Sequence, residues 1–303
     1  MVARIATHSQ NAATLRSLQQ ANAGMALSTY QITTGLKGGT LSDSASTANQ
    51  LLTLRDVQNR TNTYIANLKS ADSQLTTTES ALQQMTDLLS EATSLATTGR
   101  NENSDSTRAS LAPKAQALAE SFYALFNTQY NGQYIFSGSN ANTAPISGSS
   151  TPTPFGGEPL DTSWYQGDGQ LASVVSGNGT TMEYGVLGDD PAFAQVKSGL
   201  EALWYGLQNN NVTEIDNAIA TLNNAKTSLS SLVSNVGGQM NSIDQQTERY
   251  TTQQTFIQNN LDSVEKVDVS EAMITFSQQV ATLQASMAVI TQVSQLTLLD
   301  YLR

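Results

Sequence analysis

Few side chains in the 303-residue sequence have the chemistry that catalysis or metal binding needs. His8 is the single histidine and cysteine is absent, which nearly excludes catalytic triads and histidine general bases and fully excludes thiolate chemistry and disulfides. We interpret His8 as a polar position on an N-terminal helix. The sequence therefore predicts no catalytic residues, no metal site and no cofactor, and we expect the protein not to be an enzyme.

Two short motifs could still bind ligands, and both have a simpler structural interpretation. Asp189 and Asp190 could act as an acid pair, but they directly precede Pro191, where the cap and first turn of a helix are expected. The segment GLKGGT, residues 35–40, lacks the Gly-Lys-Ser/Thr order of a phosphate loop. Its glycines instead predict the end of a helix.

A Gly-, Pro- and Ser-rich stretch over residues 131–190 contains most of the aromatic clusters. Its short segments between turn residues predict small strands. The aromatic side chains could stack on a sugar, which would indicate a surface adhesin or glycan-binding module. The pattern favours instead a small core within this insert. These aromatic residues are Tyr130, Tyr134, Phe136, Trp164 and Tyr165.

The charge of the chain argues against one large class of partners. The formal net charge is −11 and the 14 Lys and Arg residues are scattered, whereas nucleic-acid binding needs clustered basic residues. No window approaches the ~20 apolar residues of a membrane span, so membrane insertion is not expected. Residues 1–20 also lack the apolar block of a cleavable signal peptide, which leaves export by a route without such a signal.

Heptad spacing is the dominant pattern outside the insert. A seven-residue grid of leucines predicts one long helix over about residues 44–96. A matching apolar run over residues 215–264 continues through two consecutive glycines, where a kink is expected rather than a break. Residues 106–130 predict a further helix. The leucine grid consists of Leu54, Leu68, Leu75, Leu82 and Leu89.

Both ends of the chain carry an apolar seam at the spacing of a helix. The closing seam is uninterrupted, whereas the N-terminal seam is shorter and is broken at Asn22 and Thr29, so it can cover only one side of its partner. A helix with an exposed apolar stripe is barely stable alone, because nucleation is costly. We therefore expect the two ends to pair and neighbouring copies to cover the remaining sides. The predicted assembly residues are Leu15, Leu18, Met25 and Ile32 in the first seam, and Val269, Met273, Phe276, Val280, Leu283, Met287, Ile290, Leu298 and Leu299 near the other end.

Together these patterns predict a mainly α fold: a long antiparallel helical coiled-coil bundle with paired N- and C-terminal helices and a small β-rich inserted domain. Three parts are expected. Terminal helices occupy residues 1–42 and 266–303, a helical bundle occupies residues 43–130 and 191–265, and the insert occupies residues 131–190.

Several motifs make the sequence resemble the bacterial flagellin family over nearly its full length. The segment TTGLKGGTLSD, residues 33–43, is similar to the turn after the first helix in that family. The most specific likeness is RASLAPKAQAL followed by NTQYNGQYIFSGSNANTAP, within residues 108–145. This likeness is greatest to the hook–filament junction branch of the family, the third hook-associated proteins. The segments YQGDG, EYGVLGDDPAF and the closing LTLLDYL point to the same branch.

The resemblance implies a structural role in the bacterial flagellum. Family members are exported by the flagellar type III apparatus and assemble outside the cell, with terminal helices in an inner tube, middle helices in an outer tube and the insert at the surface. The implied partners are copies of the same chain, hook-associated proteins, flagellin, and an export chaperone at the C-terminal helix. A filament flagellin is the alternative within the family, and a surface adhesin is the alternative outside it.

Overall fold

The structure, a computed structural model, describes the backbone of residues 2–38, 48–157 and 160–301 and the side chains of residues 12–38, 48–157 and 160–292. Helices dominate these residues, and the predicted mainly α fold with paired terminal helices and a small β-rich part is confirmed. The helices are α1 (Val2–Thr34), α2 (Ala48–Asn101), α3 (Asp105–Ala109), α4 (Ala112–Phe126), α5 (Pro191–Gln208), α6 (Val212–Glu265) and α7 (Val269–Tyr301). The strands are β1 (Gln129–Tyr130), β2 (Gln133–Tyr134), β3 (Ala172–Gly177) and β4 (Thr180–Tyr184), which form two antiparallel hairpins, β1–β2 and β3–β4.

The chain divides into two compact units, a first one of Met1–Thr61 with Gln253–Arg303 and a second one of Asn62–Thr252. Helices α1 and α7 belong to the first unit, and the strands with α3, α4 and α5 belong to the second. In the first unit, an apolar cluster that includes Leu51 and Leu261 joins the start of α2 to the end of α6. This cluster holds the two helices side by side within that unit.

The heptad grid of α2 lies at the centre of the core of the second unit. Helix α6 runs antiparallel beside it and continues unbroken through its two consecutive glycines. Lys226 Nζ of α6 donates to Ser90 Oγ of α2 at 2.9 Å. Further along, Arg100 and Asp216 form an ion pair at 2.6 Å. The seven-residue spacing keeps the grid on one side of α2, so the leucines of this unit are fully buried. These leucines are Leu68, Leu75, Leu82 and Leu89.

The expectation of one helix over residues 106–130 is wrong, because the segment forms α3 and α4 with a turn between them. The Arg108 side chain is buried and donates from Nε to the Gly99 carbonyl oxygen at 2.9 Å, which satisfies the end of α2 and fixes the connection between α2 and α3. The break between α3 and α4 precedes Pro113, which lies in the first turn of α4 and has no N–H to continue the helix from α3. Helix α4 ends before the β1–β2 hairpin. The turn of that hairpin has positive φ at Asn131 (50°) and Gly132 (79°), a conformation that a continuing helix cannot adopt.

The aromatic residues of the insert belong to the core of the second unit. Phe136 is fully buried, and its ring stacks on Phe126 of α4 with 5.4 Å between centroids. Phe193 of α5 extends the cluster at 5.2 Å from Phe136. Phe136 therefore belongs to a core that it shares with α4 and α5, and the expectation of a separate small core within the insert is wrong for this residue. The packing leaves no open ring face there for stacking on a sugar. The other four residues are half-buried: Tyr130, Tyr134, Trp164 and Tyr165.

Asp190 caps α5, as the sequence predicts. Its Oδ1 accepts from the Ala192 N–H at 2.9 Å, and Pro191 occupies the first turn. Asp190→Ala is expected to lower the free energy of unfolding by about 1 kcal/mol, because the amide at the helix end loses its acceptor. Urea unfolding of the full-length chain measures this loss. Asp189→Ala is the matched control, since Asp189 is exposed and precedes the cap, and it should change stability by less than about 0.5 kcal/mol. Equal losses in both variants would contradict the capping assignment.

A half-buried phenol, that of Tyr165, makes the second unit sensitive to alkaline pH. Burial raises the pKa of Tyr165 from 10.0 to about 12, and the neighbouring Asp189 and Asp168 carboxylates act in the same direction. Because the folded-state pKa is raised, this contribution to stability is complete below pH 10 and is lost as the pH rises toward 12. In Tyr165→Phe the free energy of unfolding should therefore fall less steeply between pH 10 and pH 12. Tyr123 and Tyr184, whose pKa values burial also raises, account for the slope that is left. Urea titrations across this window measure the slopes, and identical slopes would refute the assignment.

Candidate assembly interface

The terminal helices α1 and α7 pack against each other in antiparallel orientation. Backbone hydrogen bonds join the end of α1 to the segment before α7. The Lys37 N–H donates to the Glu265 carbonyl oxygen at 2.7 Å. The Val267 N–H donates to the Gly35 carbonyl oxygen at 2.9 Å. Gly35 has a φ of 72°, the left-handed conformation that ends many helices, so the sequence-based expectation of a helix terminus here is confirmed.

Small residues form the buried centre of α1. Ala21 and Ser28 are buried, and Gly24 between them lies so close to Gln279 of α7 that an added Cβ would come within 2.4 Å of Nε2. The Ser28 hydroxyl donates to Gln279 Oε1 at 3.2 Å. On α7, Ala272 is buried in the same way. This centre was not predicted from the sequence, because only large apolar side chains were counted as seam residues. The spacing of three and four between the small residues was a usable signal.

Large apolar side chains flank this centre and are only half-buried. On α7, Ala272, Phe276, Gln279 and Leu283 are spaced by four, three and four residues, and Ile290 follows seven residues after Leu283, so these side chains lie on the side that contacts α1. The structure thus brings one group of the predicted assembly residues into the contact within the terminal pair. The half-buried members of the predicted set are Leu18, Met25, Ile32, Phe276, Val280, Leu283 and Ile290.

A second group of apolar side chains on the same two helices is exposed, and we call it the outer apolar residues. Its members are Leu15, Leu27, Val269, Met273, Ile274, Met287 and Val289. Ile274 is 60% exposed and Met287 is 56% exposed, which is high for side chains of this size. Leu27 and Ile274 were not predicted from the sequence. The predicted residues Leu298 and Leu299 lie outside the described side chains.

The outer apolar residues of α7 point in several directions. An α-helix turns about 100° per residue, which fixes their positions relative to the side that contacts α1. Met273 and Met287 lie on one flank, Val289 lies on the opposite flank, and Ile274 lies on the back of the helix. Helix α1 covers only one side of α7, so the other three sides offer apolar groups to further partners.

The terminal pair is almost free of charge. Arg16 is the single charged residue in residues 12–34, and Glu271 is the single one in residues 269–292. Charged groups are the costliest to remove from water, so this composition lowers the cost of burying the whole surface of the pair. The surface suits contacts that are decided by shape and apolar area rather than by ion pairs.

No helix in the part of the chain that the structure describes is long and apolar enough to cross a membrane. The described Asp and Glu side chains form no group of three or more that could hold a metal ion. The side chain of His8 lies outside the described side chains. The exposed apolar surface of the terminal helices is therefore the strongest candidate for a functional site among the described residues.

Two protein-family models match the sequence of this chain. The model of the bacterial flagellin N-terminal helical region matches residues 5–141, and the model of the bacterial flagellin C-terminal helical region matches residues 214–302. The chain belongs to the bacterial flagellin family. The two matches leave most of the insert outside and include both terminal helices of this flagellin-family chain. No curated protein sequence gives a significant match.

Solved structures show the same fold. A structure described as a flagellar hook-associated protein of Vibrio parahaemolyticus has a TM-score of 0.60 at 18% identity, covering 74% of this chain and 100% of that one. FlgL of Bacillus cereus has a TM-score of 0.56 at 20% identity, covering 70% and 99%. Flagellar hook-associated protein 3 of Legionella pneumophila has a TM-score of 0.55 at 15% identity, covering 70% and 98%. The flagellin-family chain therefore shares its fold with these proteins along nearly their whole length.

Proposed function

We propose that this chain is a structural subunit at the junction between the hook and the filament of the bacterial flagellum. The observation that carries the proposal is the terminal helix pair, which leaves apolar side chains exposed on three sides of α7. The structurally similar proteins are hook-associated proteins and FlgL, which supports the junction over other positions in the flagellum. The work of such a subunit is mechanical, because it couples two tubes through contacts with the copies above and below.

Energetics support an assembly that uses several neighbours. A fully buried Leu, Ile, Val or Met side chain contributes about 1.5–3 kcal/mol, so covering the exposed half of six or seven such residues contributes on the order of 5–10 kcal/mol. Association of two molecules costs about 4–15 kcal/mol in lost freedom of motion. A single additional contact would therefore be weak. A tube in which each subunit touches several others divides the same apolar surface among several contacts, and their sum makes the assembly stable.

In the proposed assembly, each of the three parts expected from the sequence occupies its own layer. Residues 1–42 and 266–303 form the inner tube, residues 43–130 and 191–265 form the outer tube, and residues 131–190 lie at the surface. The partners are further copies of this chain, other hook-associated proteins and flagellin. The site of action is outside the cell, and catalysis and nucleic-acid binding have no part in it.

An export chaperone that covers α7 before assembly is part of the same proposal. The outer apolar residues of α7 would promote aggregation in a free subunit at high concentration. A partner with an apolar groove could bind the sides of α7 that α1 leaves uncovered, in the manner of a helix in a groove. The low charge of α7 means that such a groove would need little charge complementarity.

Seeded assembly tests the proposal directly. Purified full-length chain is added to hook fragments from which the distal flagellar proteins have been removed, and electron microscopy records what grows. A junction subunit is expected to add one thin layer and then stop. Long filaments of this chain alone would instead identify a filament flagellin. Absence of binding to the seeds, together with binding of the chain to a glycan array, would favour the adhesin alternative and overturn the proposal.

A further inference from the structure

We propose that Met273 and Met287 are sites of oxidation by peroxides, and that their oxidation excludes a free subunit from assembly. The inference rests on the proposed function, because it assigns a chemical control to the same surface of α7. The modification is oxidation of methionine to methionine sulfoxide, and the oxidant is hydrogen peroxide or an organic hydroperoxide.

Methionine provides all the sulfur chemistry of this chain, since the sequence has seven methionines and no cysteine. The described methionines differ sharply in access to solvent. Met85 is fully buried, whereas Met273 is 52% exposed and Met287 is 56% exposed. Oxidation of thioethers follows exposure, so a peroxide should reach the two α7 residues first. The remaining described methionines are half-buried: Met25, Met182 and Met240.

The two exposed methionines occupy equivalent positions. They are 14 residues apart, close to four helical turns, and therefore lie on the same flank of α7. Met273 lines a shallow surface groove with Ile274, Ser277, Gln278 and Ala281. A flexible thioether is well suited to fill an irregular contact with a neighbouring subunit. The same flank thus carries the two most exposed of the described methionines and a contact that needs them to be apolar.

Sulfoxidation transfers one oxygen atom from the peroxide to sulfur. A sulfur lone pair attacks one peroxide oxygen, so that an S–O bond forms while the O–O bond breaks, and the proton on the transferred oxygen passes to the departing hydroxide or alkoxide. The sulfur is oxidised by two electrons, and the peroxide is reduced to water or to the alcohol. The product sulfoxide is polar and accepts hydrogen bonds, and methionine sulfoxide reductases reverse the reaction. Each oxidised subunit would therefore have to bury two unsatisfied polar groups to join the assembly, which should disfavour its incorporation.

Solvent access to this flank of α7 determines which subunits are oxidised. The flank is open in the free subunit and would be covered in the assembled one. Oxidation should thus mark subunits before incorporation and spare those already in place. The result is selective assembly of undamaged subunits, with no change needed in the fold of the terminal pair.

Peroxide treatment of the full-length chain tests the inference. Mild hydrogen peroxide is expected to convert Met273 and Met287 at least about tenfold faster than Met85 by peptide mass spectrometry, since exposure governs the rate. Treated chain should bind hook seeds at least about tenfold less, and methionine sulfoxide reductase should restore binding. Within a partly oxidised sample, the subunits left unbound should be enriched in the two α7 sulfoxides.

Matched variants separate the sites. In Met273→Leu with Met287→Leu, seed binding before and after peroxide should be the same, whatever its starting level. In the control Met182→Leu with Met240→Leu, binding should fall after peroxide as in the unchanged chain. Treated chain that binds seeds as well as untreated chain would overturn the inference while leaving the proposed function intact. Failure of untreated chain to bind seeds would instead overturn the proposed function.

Discussion

The double variant Ile274→Asp with Met287→Asp is expected to bind hook seeds at least about 100-fold less than the unchanged chain. Both side chains are exposed in the subunit, at 60% and 56%, so a carboxylate is well tolerated there before assembly. Burying a carboxylate in an apolar contact costs several kcal/mol unless it is paired, and each factor of ten in binding corresponds to about 1.4 kcal/mol. Because the two positions lie on different sides of α7, the variant affects contacts with more than one neighbour.

Sedimentation with seeds and electron microscopy measure this effect, and far-UV circular dichroism should show unchanged helix content. Ser230→Asp with Ser234→Asp is the matched control, because both serines are exposed positions of a long helix and the added charge is the same. It should bind seeds within about twofold of the unchanged chain, as exposed surface substitutions usually have small effects. Normal seed binding by the α7 variant would contradict the assignment of this surface.

Leu283→Asp provides a useful contrast. Leu283 is half-buried on the side of α7 that contacts α1, so a carboxylate there weakens the terminal pair itself. It should reduce helix content as well as assembly, whereas the substitutions at Ile274 and Met287 should reduce assembly alone. The comparison separates the contact within one subunit from contacts between subunits.

Phe126→Ala is expected to lower the free energy of unfolding by about 3–5 kcal/mol, the largest effect on stability of any substitution considered for this chain. Phe126 is fully buried, and its ring is 4.8 Å from Phe193 and 5.4 Å from Phe136, between centroids. It also contacts the rings of Phe122 and Trp164, each at 5.5 Å. Removing the ring leaves a cavity that these aromatic neighbours cannot fill without moving, so the transfer and cavity costs add.

Urea unfolding followed by tryptophan fluorescence measures the loss, since Trp164 lies beside the substituted ring. Phe256→Ala is the matched control, because Phe256 of α6 is 66% exposed and should contribute less than about 1 kcal/mol. A loss in Phe126→Ala no larger than that in Phe256→Ala would show that the aromatic cluster is not the stabilising core of the second unit.

The sequence predicted the long helices well because their pattern has one physical cause. A heptad repeat keeps its apolar residues on one side of a helix, and Leu68, Leu75 and Leu82 are fully buried for that reason. The failure at residues 106–130 has a different origin. The break after α3 lies just before Pro113, which is in the first turn of α4 and cannot donate the backbone hydrogen bond of a continuous helix, and the apolar periodicity does not register this. Local pattern therefore predicts elements with a repeated buried face better than it predicts their ends.

The terminal helices show most clearly what periodicity alone does not predict. The sequence indicated two apolar seams, but periodicity could not separate residues that pack within the subunit from residues that stay exposed. In the structure the centre of the pair is built from Ala21, Gly24 and Ser28, because small side chains allow the helices to approach closely. Large side chains such as Met273 and Met287 are left outside. The same apolar pattern specifies the contact between α1 and α7 and the contacts with neighbouring subunits. Only the contact between α1 and α7 is formed in an isolated chain.

Hydrogen exchange of α7 tests the central claim, which is that neighbouring subunits complete the surface of the terminal pair. Backbone amides of residues 269–292 are compared by mass spectrometry in dilute free chain and in chain bound to hook seeds. The account predicts fast exchange in the free chain and at least about 100-fold slower exchange after assembly, because burial by neighbours suppresses local opening. Amides of α7 that are as strongly protected in dilute free chain as in the assembly would contradict it.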